Sequence, residues 1–335
     1  MSSSSFRRAA VPAAFPFLFA VVVAVVIAPI AAPAAAQQQV TITANRTPQR
    51  VDQVLADVTV IDRRQIDAAT GRTLSELLTQ QPGLQFWSNG GLGKASSVSI
   101  RGLEARHVLL LIDGVRYGSA TLGTPNFDNL PLDAIDRIEV VGGPLSGLYG
   151  SDAVGGVVQV FTRRGADGLG VNGQATVGSH GYAQFGGGLR YGQGIVDGAV
   201  QVERTRDRGF SATNAKIPFG NHNADDDGFS QTTASAQLGL KLPGAWRAEG
   251  RLLRSSSHNH YDDGPGADAE SATLSSLSSL QLSGPVAAGW RTAVRVARSS
   301  DELQTIRSAS AFASLGTIAT VQRLPLSVVN IASKT

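Results

Sequence analysis

From Gly165 onward the chain carries no helical periodicity. Polar and apolar residues alternate instead in runs at 198–203, 235–240, 247–254, 273–283 and 290–298. Successive side chains on a strand point to opposite faces, so each run offers one face of alanine, valine and leucine. The other face is glutamine, serine, threonine, arginine and glycine. Several runs reach the roughly 9–11 residues that carry a tilted strand across hydrocarbon. Alternation of this kind confines the second half of the chain to antiparallel β-structure, either a transmembrane barrel with its apolar face outward, or a soluble sheet or solenoid.

The N-terminus favours the barrel. Arg7 and Arg8 precede a long apolar run that ends in Ala34-Ala35-Ala36 before three glutamines. A positive start, an apolar stretch and a small-residue cleavage site make 1–36 read as a secretory signal peptide, with a transmembrane anchor as the alternative, since the run is long enough to span a bilayer. No later stretch is long and apolar enough for a membrane helix, so further contact with a bilayer must be through strands. The chain has no cysteine, which excludes disulfides and thiolate metal or redox chemistry. Its 29 basic and 26 acidic residues leave a net charge of +3, too balanced for a dedicated nucleic-acid binder.

Between the signal and the alternating half the texture is that of a small α+β domain. Residues 58–61 read as a strand, and Thr73 with Glu76 three residues on makes a capping box for a helix that Pro82-Gly83 ends. Strands are expected at 84–87, 97–101, 107–112, 135–141 and 157–161, with Asp113-Gly114 as a tight turn. No serine–histidine–aspartate set and no paired carboxylates form a catalytic constellation. The glycines at 142–143 and 155–156 lack the context of a phosphate loop. No enzymatic activity is expected.

Five segments of this region resemble, in order and spacing, the plug of TonB-dependent outer-membrane receptors. They are Val40-Thr41-Ile42-Thr43-Ala44 followed by Asn45-Arg46, and Ser99-Ile100-Arg101-Gly102. The third is Leu109-Leu110-Leu111-Ile112-Asp113-Gly114-Val115, and the fourth Ile135-Asp136-Arg137-Ile138-Glu139-Val140. The last is Tyr149-Gly150-Ser151-Asp152-Ala153-Val154-Gly155-Gly156. The resemblance spans about 125 residues. It implies an α+β plug domain followed by an antiparallel transmembrane β-barrel in the outer membrane of a Gram-negative cell. The expected division is a signal peptide over 1–36, an energy-coupling box and tether over 37–50, the plug over 51–165 and part of a barrel over 166–335. The implied activity is energy-coupled uptake of a scarce nutrient. Ser88-Asn89-Gly90-Gly91, Asp113-Gly114-Val115-Arg116 and Ser151-Asp152-Ala153 lean toward the cobalamin branch of the family. Siderophore or haem uptake stays open, as does a plug-like periplasmic interaction or signalling module.

The resemblance also implies sites. Val40, Thr41, Ile42, Thr43 and Ala44 would bind TonB, energised by ExbB and ExbD, through the exposed backbone of an extended segment. Arg101, Arg137 and Glu139, charges set in apolar strands, would pair and seat the plug, because a buried ion is costly alone. Asn89, Gly91, Tyr117 and Asn126 lie in glycine-rich plug loops that would touch substrate. Asp225, Asp227 and Asp262 would be metal ligands, with calcium as the ion; no other cofactor is implied. Three carboxylates fall short of the six to eight oxygens calcium takes, and a solvated acidic hairpin is the alternative. His258 and His260 share a strand face but have no third ligand to complete a metal site.

A plug of this size needs the 22 strands that large outer-membrane transporters possess. The residues after Gly165 supply about 7–8 strands, and Thr335 is not the terminal aromatic expected of such barrels. The expectation is an incomplete receptor that does not transport alone.

Overall fold

The computed structural model describes residues 57–69, 71–118, 124–125, 127–128, 130–217, 222–263 and 268–307, together with short backbone segments at 41–42, 49–50, 317–323 and 327–334. The signal-peptide reading lies outside the described residues.

The plug is built on a mixed sheet. Its strands are β3 (Asp57–Ile61), β6 (Val108–Ile112), β7 (Val115–Arg116), β8 (Ile135–Gly142) and β9 (Gly156–Thr162), in the order β3-β8-β9-β6-β7. Only β6 and β9 run parallel. A separate pair joins β4 (Leu84–Ser88) to β5 (Ser96–Ile100). Helix α1 (Arg63–Ala68) and helix α2 (Leu74–Thr79) both start in capping boxes, Asp62 with Gln65 and Thr73 with Glu76. The second box was legible in sequence; the first carries the same signal and was overlooked. Every residue of β6 and β9 is buried. Leu78, Leu110, Ile112, Ile138, Val158 and Val160 form the centre of the apolar core.

Beyond the plug lies one large antiparallel sheet. It comprises β10 (Gly168–Val177), β11 (Ala183–Gln193), β12 (Val196–Asp207), β13 (Phe229–Leu242), β14 (Trp246–Asp262), β15 (Asp268–Ala287) and β16 (Trp290–Arg307). The segments β17 (Thr317–Arg323) and β18 (Ser327–Lys334) both pair with β16, opposite Ser300–Ile306 and Trp290–Ala297 respectively. They fill one strand position in two pieces, and their registers against β16 differ by one residue. Strands β10 and β11 escaped the sequence reading because glycine erases the alternation. At Gly188 a Cβ would lie 1.8 Å from Gln201 Oε1 and 2.6 Å from Val200 O, so only glycine fits.

Alternation elsewhere sorts by face. Gln201, Glu203, Gln231, Thr233, Glu249, Arg251, Ser255 and Asn259 are buried on the side toward the plug. Val200, Leu238, Leu252 and Leu280 are more than half exposed on the opposite side. Polar-in and apolar-out is the pattern of a lipid-facing barrel wall. Edge strands β10 and β17 do not pair with each other, so the described sheet is not closed into a full barrel.

Candidate functional site: the plug–wall seam and the outer cavity

The seam between plug and wall centres on Asp113. It occupies the first left-handed position (φ 49°) of the turn between β6 and β7, with Gly114 (φ 78°) in the second. A β-hairpin of this twist needs positive φ at both residues, which explains Asp-Gly. The carboxylate does more than close the turn. It accepts the Thr162 N–H at 3.1 Å and the Thr162 hydroxyl at 2.6 Å. It also pairs with Arg251 of β14. Arg251 donates to Thr162 Oγ1 at 2.8 Å and pairs with Glu249, which lies 4.0 Å from Arg164. Asp113 and Arg251 are almost wholly buried, so their pairing offsets the cost of taking each charge out of water. Sequence reading had treated Asp113 as a turn residue alone. No local signal singled out Arg251, because Arg247, Glu249 and Arg251 alternate together on the same polar face of β14.

Arg101, Arg137 and Glu139 are paired in a different sense. Arg101 meets Asp57 at 2.8 Å with both side chains more than half exposed. Arg137 donates to Glu139 at 3.0 Å and lies 3.7 Å over the Phe161 ring. These pairs tie plug residues to plug residues, whereas the ion pairs of Asp113 and Arg164 cross to the wall.

Toward the ends of the strands that carry long connections, plug and wall enclose a cavity of about 800 Å³. Asn89, Lys94, Ser96, Asp128 and Trp87 come from the plug; Asn259, Tyr261, Asp262, Thr273 and Asp301 come from the wall. Lys94 is 8 % exposed and reaches across the seam. Its ammonium donates to Asn259 Oδ1 at 2.7 Å, to Asp227 O at 3.1 Å and to His260 O. Burial lowers its pKa, opposed by the carboxylates of Asp227, Asp207 and Asp262. The neighbouring Gly93 (φ +76°) presses on the wall so closely that a Cβ would lie 2.1 Å from the Phe229 ring.

Of the residues expected at substrate, Asn89 lines this cavity. Gly91 packs against Phe210 of the 208–228 connection, with an ideal Cβ 3.4 Å from that ring. Tyr117 is 3 % exposed in the plug core, its hydroxyl beside Ser275 and Asp301 of the wall. Asn126 lies outside the described residues.

At the cavity rim the carboxylates of Asp225, Asp262 and Asp268 bring one oxygen each within 4.8 Å of one another, a group suited to a metal ion. Asp268 stands where the sequence pattern had put Asp227. Asp227 is instead buried, its carboxylate accepting the Ala212 N–H and facing Lys94, while burial raises its pKa. Asp262 is oriented by the hydroxyls of Ser211, at 3.1 Å, and Thr213. Asp268 accepts from Asn223 at 2.7 Å. Desolvation, then the charges of Asp268 and Asp262, push the Asp225 carboxyl above its ordinary range. Such a cluster gains from a cation, although three side chains leave most of a calcium shell to backbone and water.

Of the proposed energy-coupling segment, Thr41 and Ile42 form β1, paired antiparallel with β2 (Gln49–Arg50). Val40, Thr43 and Ala44 lie outside the described residues.

An α+β domain seated through hydrogen bonds and ion pairs on the polar face of an antiparallel sheet, whose far face is apolar, defines a plugged outer-membrane barrel wall. Residues 50–157 match the TonB-dependent receptor plug domain, and the chain belongs to the TonB-dependent receptor family. Its place is the outer membrane, and such receptors are transport proteins, not enzymes.

Among relatives, it is 37 % identical over 229 residues to the vitamin B12 transporter BtuB of Photobacterium profundum, covering 68 % of this chain and 37 % of that protein. To BtuB of Vibrio cholerae (El Tor Inaba N16961) it is 35 % identical over 203 residues, 59 % of this chain and 32 % of the relative. The chain thus spans about a third of the length of these curated relatives. Solved structures share the fold at low identity. The siderophore receptor PiuA of Acinetobacter baumannii aligns with TM-score 0.61 and 14 % identity over 78 % of this chain and 38 % of its own. The ferric-catecholate import receptor Fiu of E. coli K12, in its open form, aligns with TM-score 0.61 and 14 % identity over 82 % and 45 %.

Proposed function

We propose that this chain forms the plug and the adjoining wall of a receptor that takes up cobalamin across the outer membrane, driven by TonB with ExbB and ExbD. The observation that carries the substrate is the cavity's chemistry. Its described lining holds Asp128, Asp227, Asp262 and Asp301 beside amides, hydroxyls and aromatic rings, and its cation, Lys94, is spent on the wall. A lining of this kind repels multiply anionic iron chelates and suits a large, amide-rich ligand near neutrality. Sequence similarity to vitamin B12 transporters supports the same substrate.

The energy-coupling role falls to Val40–Ala44, whose pairing by backbone would extend a partner's sheet. The acidic group at the rim would hold calcium through Asp225, Asp262 and Asp268 and so fix the carboxylates that face the bound substrate. Seating the plug would fall to Asp113, Arg251 and Glu249, with Arg101, Arg137 and Glu139 stiffening the plug itself.

The test is a chimera in which these residues replace the matching region of the Photobacterium transporter, expressed in a strain lacking its own receptor. Cobalamin uptake is expected, and Ile42→Pro should abolish it while binding persists, because proline removes a donor from the pairing strand. A chimera that inserts in the outer membrane yet neither binds nor imports cobalamin would refute the substrate. Undiminished uptake by Ile42→Pro would refute the role of the segment.

A further inference from the structure

The outward face of the wall carries a row of arginines whose positions follow from register. Arg204, Arg254 and Arg298 stand on alternate strands β12, β14 and β16, and all three are exposed. Each occupies the next outward position beyond an exposed apolar residue: Val202, Leu252 and Val296. Across the ladder Arg204 pairs with Thr232, which pairs with Ser256, two residues beyond Arg254. Arg254 pairs with Ser276, which pairs with Ser300, two residues beyond Arg298. The row therefore steps down by two residues for every two strands, as the upper edge of an apolar band does on tilted strands.

The opposite edge confirms the frame. Trp246 and Trp290 begin β14 and β16 on the same outward face, eight residues before Arg254 and Arg298 respectively. Eight residues span about 27 Å along a strand, or on the order of 20 Å of membrane depth at a tilt near 40°. Tryptophan marks the interface at the end with short turns, at 194–195, 243–245 and 288–289. Arginine marks the other, where the connections are long, the outer-leaflet side. Small residues stand between the guanidinium groups, Ala234 and Thr232 on β13 and Ser276 and Ser278 on β15, leaving shallow notches. Among the described residues, none of the three arginines belongs to an ion pair.

A guanidinium at the hydrocarbon edge with no carboxylate beside it is poised for a phosphate, which it can meet with two parallel hydrogen bonds. We propose that Arg204, Arg254 and Arg298 form a docking surface for phosphorylated lipid headgroups of the outer leaflet. Their acyl chains would lie along the exposed leucines and valines below. Charge complementarity selects the occupant: three cations in a line at one interface, over an apolar band, fit an anionic amphiphile and disfavour a zwitterionic one.

The experiment uses the full chain in dodecyl maltoside micelles, with binding of lipid A, a diphosphorylated glucosamine lipid, compared with phosphatidylcholine by native mass spectrometry. Retention of lipid A in preference to phosphatidylcholine is expected. Affinity should fall roughly fivefold for each arginine changed to glutamine. The charge-keeping triple R204K/R254K/R298K should retain more lipid than R204Q/R254Q/R298Q. The pair R64Q/R106Q, which removes exposed cations from the plug, should change nothing. Circular dichroism establishes that the variants keep their strands; positions pointing to detergent on a paired sheet should tolerate glutamine. Equal retention of the two lipids by the parent chain would overturn the proposal. So would parental lipid A binding by the folded triple glutamine variant.

Discussion

Plug and wall solve opposite solvent problems with the same alternating strands. In the plug, every residue of β6 and β9 is buried on both faces, and Leu110, Ile112, Val158 and Val160 meet in a dry core. In the wall, the buried face is Gln201, Thr233, Glu249 and Arg251, while leucine and valine face outward. Water-driven burial holds the plug together. The surface where plug meets wall is held largely by hydrogen bonds and ion pairs, joined by a few apolar contacts such as Leu253 and Leu277. Polar contacts can be exchanged for water at little net cost, as a folded core cannot. The difference teaches that the plug is a stable body held in the wall by a seam that can yield.

The largest effect expected on this contrast comes from the hub of the seam. Arg251→Met leaves Asp113 buried without its cation, while Glu249 keeps Arg247 at 3.2 Å, and should cost about 3–5 kcal/mol, read as a lowered urea midpoint. Adding Asp113→Asn to it should recover part of the loss, since the stranded charge is then gone. If the double variant were as unstable as the sum of the singles, the seam would not be a coupled pair.

Leu110→Ala attacks the plug core instead and should cost about 2–5 kcal/mol through lost burial and a cavity. Its signature is plug unfolding without loss of the strands of the wall, followed by hydrogen exchange in the two regions separately. Lys94→Met should cost about 1–3 kcal/mol, because Asn259 Oδ1 and the carbonyls of Asp227 and His260 lose their donor. Exchange should quicken at 89–95 and around 227 while β6 and β9 stay protected. The smallest effect belongs to the lipid side. Leu280→Ala, 70 % exposed on the outward face, should change stability in detergent by less than about 1 kcal/mol, since hydrocarbon is as apolar as leucine.

Much of this contrast was legible in sequence, and the exceptions are instructive. The capping box at Thr73, the Asp113-Gly114 turn and five wall strands follow from local chemistry and period, and the structure forms them. Two glycine-rich strands did not register, because a strand without side chains has no alternation to read. The long-range partners were also hidden. Nothing near Asp113 in sequence announces Arg251, and nothing near Lys94 announces Asn259, since register between distant strands brings them together. Asp268 escaped notice for the same reason. Antiparallel pairing sets it opposite Asp262, whereas Asp227, adjacent in the acidic run, turns inward toward Lys94.

The claim that most needs testing is that the cavity over this seam admits cobalamin and excludes anionic iron chelates. Equilibrium binding of radiolabelled cobalamin to the chimeric receptor, with a ferric catecholate as competitor, addresses it directly. The account predicts saturable cobalamin binding that the catecholate does not displace and that Asn89→Trp, at the cavity wall, weakens at least tenfold, roughly the loss of one well-placed contact. Displacement of cobalamin by the catecholate, or cobalamin binding indifferent to a tryptophan at position 89, would contradict it.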